Sequence, residues 1–188
     1  DGSADDITGV ENITGSGNAD TLTGDDEDNL ISGGAGNDII AGGDGDDTLS
    51  GGADADDLSG GAGDDVLDGA AGNDTLDGGA DDDTVSGGTG NDLFVETPGS
   101  ADVLLDSGGT DTIDFSGATE GVTFDLTMTA GQVQTVDASS NTVALTGTIE
   151  NLIGSGFDDT LTANAGGSTI SGGAGDDLIT GGAAGESR

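Results

Sequence analysis

Gly33-Gly34-Ala35-Gly36-Asn37-Asp38-Ile39-Ile40-Ala41 is one of nine nonamers that run without interruption from Gly15 to Val95. Gly60-Gly61-Ala62-Gly63-Asp64-Asp65-Val66-Leu67-Asp68 has the same form. The first positions, Gly15, Gly24, Gly33, Gly42, Gly51, Gly60, Gly69, Gly78 and Gly87, are all glycine. The sixth positions are Asp20, Asn29, Asp38, Asp47, Asp56, Asp65, Asp74, Asp83 and Asp92, so the one exception to Asp is its amide. The eighth positions, Leu22, Ile31, Ile40, Leu49, Leu58, Leu67, Leu76, Val85 and Phe94, are all apolar. Three positions held in phase over nine repeats mark a stacked repeat architecture.

The pattern returns near the end. Gly154–Thr162 carries Asp159 and Leu161, and Gly172–Thr180 carries Asp177 and Ile179. The nonamer between them, Ala163–Ser171, has Ser168 in the Asp position. The lead-ins agree too: Val10-Glu11-Asn12-Ile13-Thr14-Gly15-Ser16-Gly17 parallels Ile149-Glu150-Asn151-Leu152-Ile153-Gly154-Ser155-Gly156. Some turns depart from the pattern. Asp54 and Asp81 replace the fourth-position Gly, Ala70 replaces a second-position Gly, and the repeats from Gly15 and Gly24 lack both inner glycines. On these motifs, which cover roughly two thirds of the chain, the sequence resembles the RTX (repeats-in-toxin, haemolysin-type) nonapeptide family. The resemblance implies calcium binding and a secreted protein that leaves a Gram-negative cell unfolded through a one-step, type I secretion channel.

Each nonamer has two physical tasks. Positions one to six need glycine for φ > 0 and for close backbone approach. Positions seven to nine suit a short strand whose middle side chain faces inward and whose flanks face water. One nonamer turns the chain and the next returns it, so eighteen residues make one coil, stacked at the ~4.8 Å strand spacing. The expected fold is all-β: a parallel β-roll (a β-helix or solenoid) with two sheets across a thin aliphatic core, in two roll blocks. The expected segments are 1–95, a first block; 96–148, longer irregular strands that cap or link the rolls; and 149–188, a shorter second block.

Stacking sets the turn of repeat n beside that of repeat n+2, so Asp carboxylates and Gly carbonyls flank one gap. Ca²⁺ takes six to eight oxygen ligands at ~2.3–2.6 Å in flexible geometry, whereas Mg²⁺ demands a stiffer octahedron. The expected metal residues are Asp20, Asp38, Asp47, Asp56, Asp65, Asp74, Asp83, Asp92, Asp159 and Asp177, working in pairs eighteen apart. Supporting carbonyls are expected from Gly34, Gly36, Gly43, Gly45, Gly52, Gly61, Gly63, Gly72, Gly79, Gly88, Gly90, Gly173 and Gly175. The competing reading is that the Asp side chains only close Asx-turns. The fifth-position acids Asp46, Asp64 and Asp176 read as solvated surface.

Composition narrows the function classes. The 188 residues include 40 Gly, 39 acidic residues and one basic residue (Arg188), for a net charge of −38. Such a chain repels nucleic acid and anionic lipid, which are bound through Lys and Arg. No apolar run reaches the ~18 residues of a membrane span, and Asp1-Gly2-Ser3-Ala4 lacks the marks of a signal peptide. With no His and no Cys, neither zinc-protease motifs, Ser-His-Asp triads nor thiol nucleophiles are available. The chain is therefore expected not to be an enzyme by itself, although it fits a fragment of a larger secreted one. The seventh positions, Thr21, Leu30, Ile39, Thr48, Asp57, Val66, Thr75, Thr84 and Leu93, form no matched rank of Thr or Asn such as an ice-binding face wants.

Residues 96–148 break the nonamer phase and hold the one proline, Pro98. Strands are expected over 102–106, 112–116 and 122–127, with Phe115 and Phe124 in the core and a protruding loop or hairpin over 132–141. Asp111-Thr112-Ile113-Asp114-Phe115-Ser116-Gly117 resembles segments that follow β-rolls in serralysin-type proteins. Two functions fit. One is a module that folds on several Ca²⁺ ions outside the cell and serves folding and secretion of a larger exoprotein. The other is a calcium-stiffened adhesin or surface-layer segment that self-associates. Both place it outside the cell or on its surface.

Overall fold

An apolar eighth position between polar neighbours makes each nonamer a strand with one buried side chain. The computed structural model describes residues 11–97, 99–128 and 131–182. Asp1-Gly2-Ser3-Ala4, Val10 of the first lead-in, Pro98, Arg188 and part of 128–144 lie outside them. The repeats form β1 (Asn12–Thr14), β2 (Thr21–Thr23), β3 (Leu30–Ala35), β4 (Ile39–Asp44), β5 (Thr48–Ala53), β6 (Asp57–Ala62), β7 (Val66–Ala71), β8 (Thr75–Ala80), β9 (Thr84–Gly88) and β10 (Leu93–Val95). The middle segment adds β11 (Ala101–Asp106), β12 (Thr112–Asp114), β13 (Thr123–Asp125), β14 (Val133–Thr135) and β15 (Thr142–Thr146). The last segment adds β16 (Asn151–Ile153), β17 (Thr160–Thr162), β18 (Thr169–Ser171) and β19 (Leu178–Thr180).

Odd strands through β11 share one sheet, in the order β1-β3-β5-β7-β9-β11-β15-β14. The facing sheet runs β18-β16-β12-β10-β8-β6-β4-β2, and β13-β17-β19 form a third. Among the nonamers pairing is parallel with eighteen-residue registers, so eighth positions stack in columns. One column is Leu22, Ile40, Leu58, Leu76 and Phe94, continued by Ile113 and Leu152. The other is Ile13, Ile31, Leu49, Leu67, Val85, Leu104 and Leu145. From Ile31 to Phe94 these side chains are at most 1% exposed, so the core is a double file of aliphatic groups with nothing behind it but the opposite file. The all-β parallel roll read from the nonamers is the observed fold.

Several details differ from expectation. Most central strands have six residues, because pairing continues through positions one to three of the next nonamer, as in Gly34↔Gly52 and Ala35↔Ala53. Ala70, Asp54 and Asp81 adopt φ values of 70°, 77° and 75°, so these turns keep the left-handed shape without glycine. That costs roughly 1–2 kcal/mol at each position. In the middle segment β12 and β13 stop short of Ser116 and Thr127. There the Asp114 and Asp125 carboxylates accept the N–H groups of Ser116 and Thr127 in Asx-turns. Phe115 and Phe124 are core residues, their rings 5.1 Å apart. Residues 132–141 belong to a hairpin, with β14 antiparallel to β15 at the sheet edge. Ile179, read as inward-facing, is 48% exposed, because no further described coil covers β19.

Strand β12 pairs with β10 on one side and β16 on the other. The second sheet therefore passes unbroken from the nine nonamers through the middle segment into the later repeats.

Candidate metal centre

Gly60 shows how a turn is built. A Cβ there would overlap both the Asp65 Oδ2 of its own repeat and the carbonyl oxygen of Gly78 one coil on. The first position is glycine because the sixth-position carboxylate folds back over it and the next coil's carbonyl closes the same space. The same crowding recurs at Gly42 with Asp47 and Gly60, and at Gly69 with Asp74 and Gly87. The carbonyls of Gly34, Gly43, Gly45, Gly61, Gly72 and Gly90 each lie close against a glycine of the following coil. That of Gly88 is engaged by the Ser107 amide and hydroxyl.

The two oxygens of each carboxylate have different surroundings. Oδ1 accepts the backbone N–H of the sixth residue one coil earlier. Asp56 Oδ1 accepts from Asp38 at 2.8 Å, Asp65 from Asp47 at 2.7 Å, Asp74 from Asp56 at 2.9 Å, Asp83 from Asp65 at 2.9 Å and Asp92 from Asp74 at 3.0 Å. Oδ2 of Asp38, Asp47, Asp56, Asp65, Asp74 and Asp92 is buried with no hydrogen-bond partner. A buried carboxylate oxygen without a donor is costly. Six of them, with the carbonyls of Gly60, Gly78 and Gly87 beside those of Asp47, Asp65 and Asp74, form an all-oxygen, anionic donor set, which is what a hard divalent cation takes. The residues present therefore fit Ca²⁺.

Other turns satisfy themselves. Asp20 Oδ2 accepts from Ser16 N and Oγ at 2.6 and 2.9 Å. Asp159 accepts the Ser155 N–H on Oδ2 and the Ser155 hydroxyl on Oδ1, both at 2.7 Å. Asn29 bonds to Asp25 and to the Glu27 carbonyl. At these positions the side chain closes its own turn, which is the competing reading stated above. The second-position Ser of the two matching lead-ins is responsible in two of the three cases. Asp83 is buried, whereas Asp177 is half-buried near the end of the described chain.

Charge crowding is visible in the acidities. Burial raises the Asp65 and Asp74 carboxyls to about 6 and Asp83 to about 7; an accepted amide N–H offsets part of this, and neighbouring carboxylates add to it. Asp38, Asp47, Asp56 and Asp92 are raised for the same first reason. These folded values lie above the ordinary 3.8, so the ion-free roll takes up protons when it folds. Its stability is greatest below about pH 4 and is lost as pH rises through 6–7. Acidifying ion-free protein from pH 7.5 to 4.5 is thus expected to increase the β signal in circular dichroism, and the calcium midpoint is expected to rise below pH 6 as protons compete. An ion-free spectrum that does not change over that range contradicts this.

The structure adds residues that the nonamer frame leaves out. Asp102 Oδ1 accepts the Asp83 N–H at 3.0 Å, Asp111 Oδ1 accepts the Asp92 N–H at 2.8 Å, and Glu150 Oε2 accepts the Asp111 N–H at 2.9 Å. The ladder thus continues past Val95 after a slip of one residue. The signal was present as Asp102-Val103-Leu104 and Asp111-Thr112-Ile113, which keep the Asp-x-apolar order. Glu96 is buried beside Asp102, and burial followed by that neighbour holds its carboxyl well above the usual range. The fifth-position acids are exposed, as expected, yet they form a second ladder. Asp46 accepts from Asp64, and Asp158 from Asp176.

The family model of the RTX calcium-binding nonapeptide repeat matches residues 5–40, 14–49, 32–67, 59–94 and 153–184. No curated protein matches the chain. With well over half its length matched by that model and the nonamers coiled into a parallel roll, the chain belongs to the RTX calcium-binding nonapeptide repeat family.

Proposed function

We propose that this calcium-binding module folds when Ca²⁺ fills the gaps between coils, and that it does so outside the cell as the folding and secretion module of a larger exoprotein. The observation carrying this is the row of buried, partnerless Oδ2 atoms on Asp38, Asp47, Asp56, Asp65, Asp74 and Asp92. Each would be one ligand of an ion shared with the next coil. Asp83 would act with them, while Asp20, Asp159 and Asp177 would contribute less. A cation neutralises the carboxylates and joins two turns, so its binding free energy becomes folding free energy. Ca²⁺ is scarce in cytosol and millimolar outside. The same chain would then stay extended during export and coil afterwards. No helix among the described residues is long and apolar enough to cross a membrane.

The second reading is a calcium-stiffened adhesin or surface-layer segment. The exposed apolar side chains at Leu30, Ile39 and Val66 give it some support. Sedimentation velocity separates the two. A folding module is expected to become more compact and stay monomeric when Ca²⁺ rises from chelator to 5 mM, whereas calcium-driven oligomers favour the surface-assembly reading. Absence of both compaction and bound calcium in equilibrium dialysis contradicts each of them.

A further inference from the structure

One carboxylate oxygen from each of Asp92, Asp106 and Asp111 lies within 4.8 Å of the other two. Two oxygens on a common Ca²⁺, each ~2.3–2.6 Å from it, are separated by no more than about 5 Å. Asp92 and Asp111 are 2% and 0% exposed, and both Oδ2 atoms lack a hydrogen-bond partner. The cluster therefore contains two buried, unsatisfied acceptors as well as its charge.

Asp106 is what distinguishes the place. It ends β11 and pairs with Gly88 across a register shift, five residues before the sixth-position equivalent Asp111. Counted back from Asp111 it holds the place of a nonamer's first-position glycine, although the register shift sets it opposite the second-position Gly88. In the repeats that position supplies a backbone carbonyl; here it also supplies a carboxylate. Asp106 Oδ1 accepts the Gly108 N–H at 3.0 Å and Oδ2 the Thr148 N–H at 3.4 Å, while Glu150 accepts from Asp111. Asp106, Gly108, Thr148 and Glu150 border a cleft of about 310 Å³ together with Gly147. The cleft lies between the end of β11 and the segment that leads into β16, the first strand of the later repeats.

We propose that Asp92, Asp106 and Asp111 form a calcium site at this seam, outside the nonamer pattern, which clamps residues 147–150 to the roll. It rests on the calcium-binding reading above. Three carboxylates rather than two face the ion, and affinity rises with ligand charge. The seam is therefore expected to fill at lower free Ca²⁺ than the gaps between ordinary nonamers. Burial, followed by the charge of Asp106, raises both the Asp92 and the Asp111 carboxyls, Asp111 to about 6, so protons compete here too.

The test is calcium stoichiometry and affinity on the full chain by equilibrium dialysis, with wild type beside Asp106→Asn and Asp106→Gly. The first keeps the side-chain shape, and the second restores the nonamer's own glycine. Both are expected to reach the wild-type β signal in saturating calcium, to bind one ion at least tenfold more weakly, and to lose hydrogen-exchange protection at 147–152. Variants that fold with unchanged affinities and stoichiometry overturn the proposal. If neither variant folds, anomalous density from calcium-bound wild-type crystals decides. A peak among the three carboxylates supports the site, and peaks between nonamers with none here overturn it. A wild type that binds no calcium overturns the wider reading as well and is distinguished by that.

Discussion

In excess chelator at pH 7.5 the chain is expected to show a coil spectrum, and addition of millimolar Ca²⁺ is expected to convert it cooperatively to β. The core explains why. Each eighteen-residue coil of the repeats buries only one aliphatic or aromatic side chain per sheet, so little apolar surface leaves water for the length of chain that is ordered. At neutral pH the sixth-position carboxylates are also crowded, with Asp83 raised to about 7 and Asp65 and Asp74 to about 6 by burial and then by neighbouring carboxylates. Ions that bind only the folded state add RT ln(1 + [L]/Kd) per site, about 2.7 kcal/mol at a hundredfold excess over Kd. Several sites therefore move the balance together, and the transition should be steep in calcium concentration. A fully formed β spectrum in chelator at that pH would show that the hydrogen-bond ladders suffice without the ion.

Asp65→Ala is expected to lower calcium stoichiometry and to raise the calcium concentration at the folding midpoint about tenfold. Two losses combine at that residue. Its Oδ1 accepts the Asp47 N–H at 2.7 Å, and its Oδ2 is one of the buried oxygens with no partner. Removing the acceptor strands a buried amide, which costs roughly 1–3 kcal/mol, and a tenfold shift corresponds to about 1.4 kcal/mol. Asp65→Asn separates the two. It preserves an acceptor for the Asp47 N–H while removing the charge. A normal calcium titration for Asp65→Asn would assign Asp65 to turn closure alone. Asp46→Ala is the matched control, because Asp46 is exposed and accepts only the Asp64 amide. It should shift the midpoint far less.

Legibility followed periodicity. Where three positions repeat every nine residues, from Gly15 to Phe94, the roll, the inward column and the sixth-position row were all readable, because each rests on local geometry: a tight turn, a strand of period two, a side chain reaching back over a glycine. Beyond Val95 a single extra residue moved the frame, and Asp102, Asp106 and Asp111 were missed although the Asp-x-apolar order persists at two of them. Their relation to Asp83 and Asp92 is one of hydrogen bonds nineteen residues apart, and a fixed nonamer frame does not reveal it. The lead-in serines were readable as a matching motif but not as partners of Asp20 and Asp159. That depends on where a hydroxyl points once the turn has closed.

By itself, then, the sequence determined the repeat, the all-β parallel roll and the kind of ion its oxygens suit, since glycine φ preference, strand alternation and carboxylate chemistry act within a few residues. Tertiary stacking alone decided which sixth-position side-chain oxygens are left without a donor and which are claimed by Ser16, Asp25 or Ser155. It also decided that β12 joins the long block to the later repeats in one sheet, and that Asp92, Asp106 and Asp111 meet. Those outcomes depend on the register between coils, and register is set by the packing of whole columns such as Leu76, Phe94 and Ile113, to which every residue between them contributes.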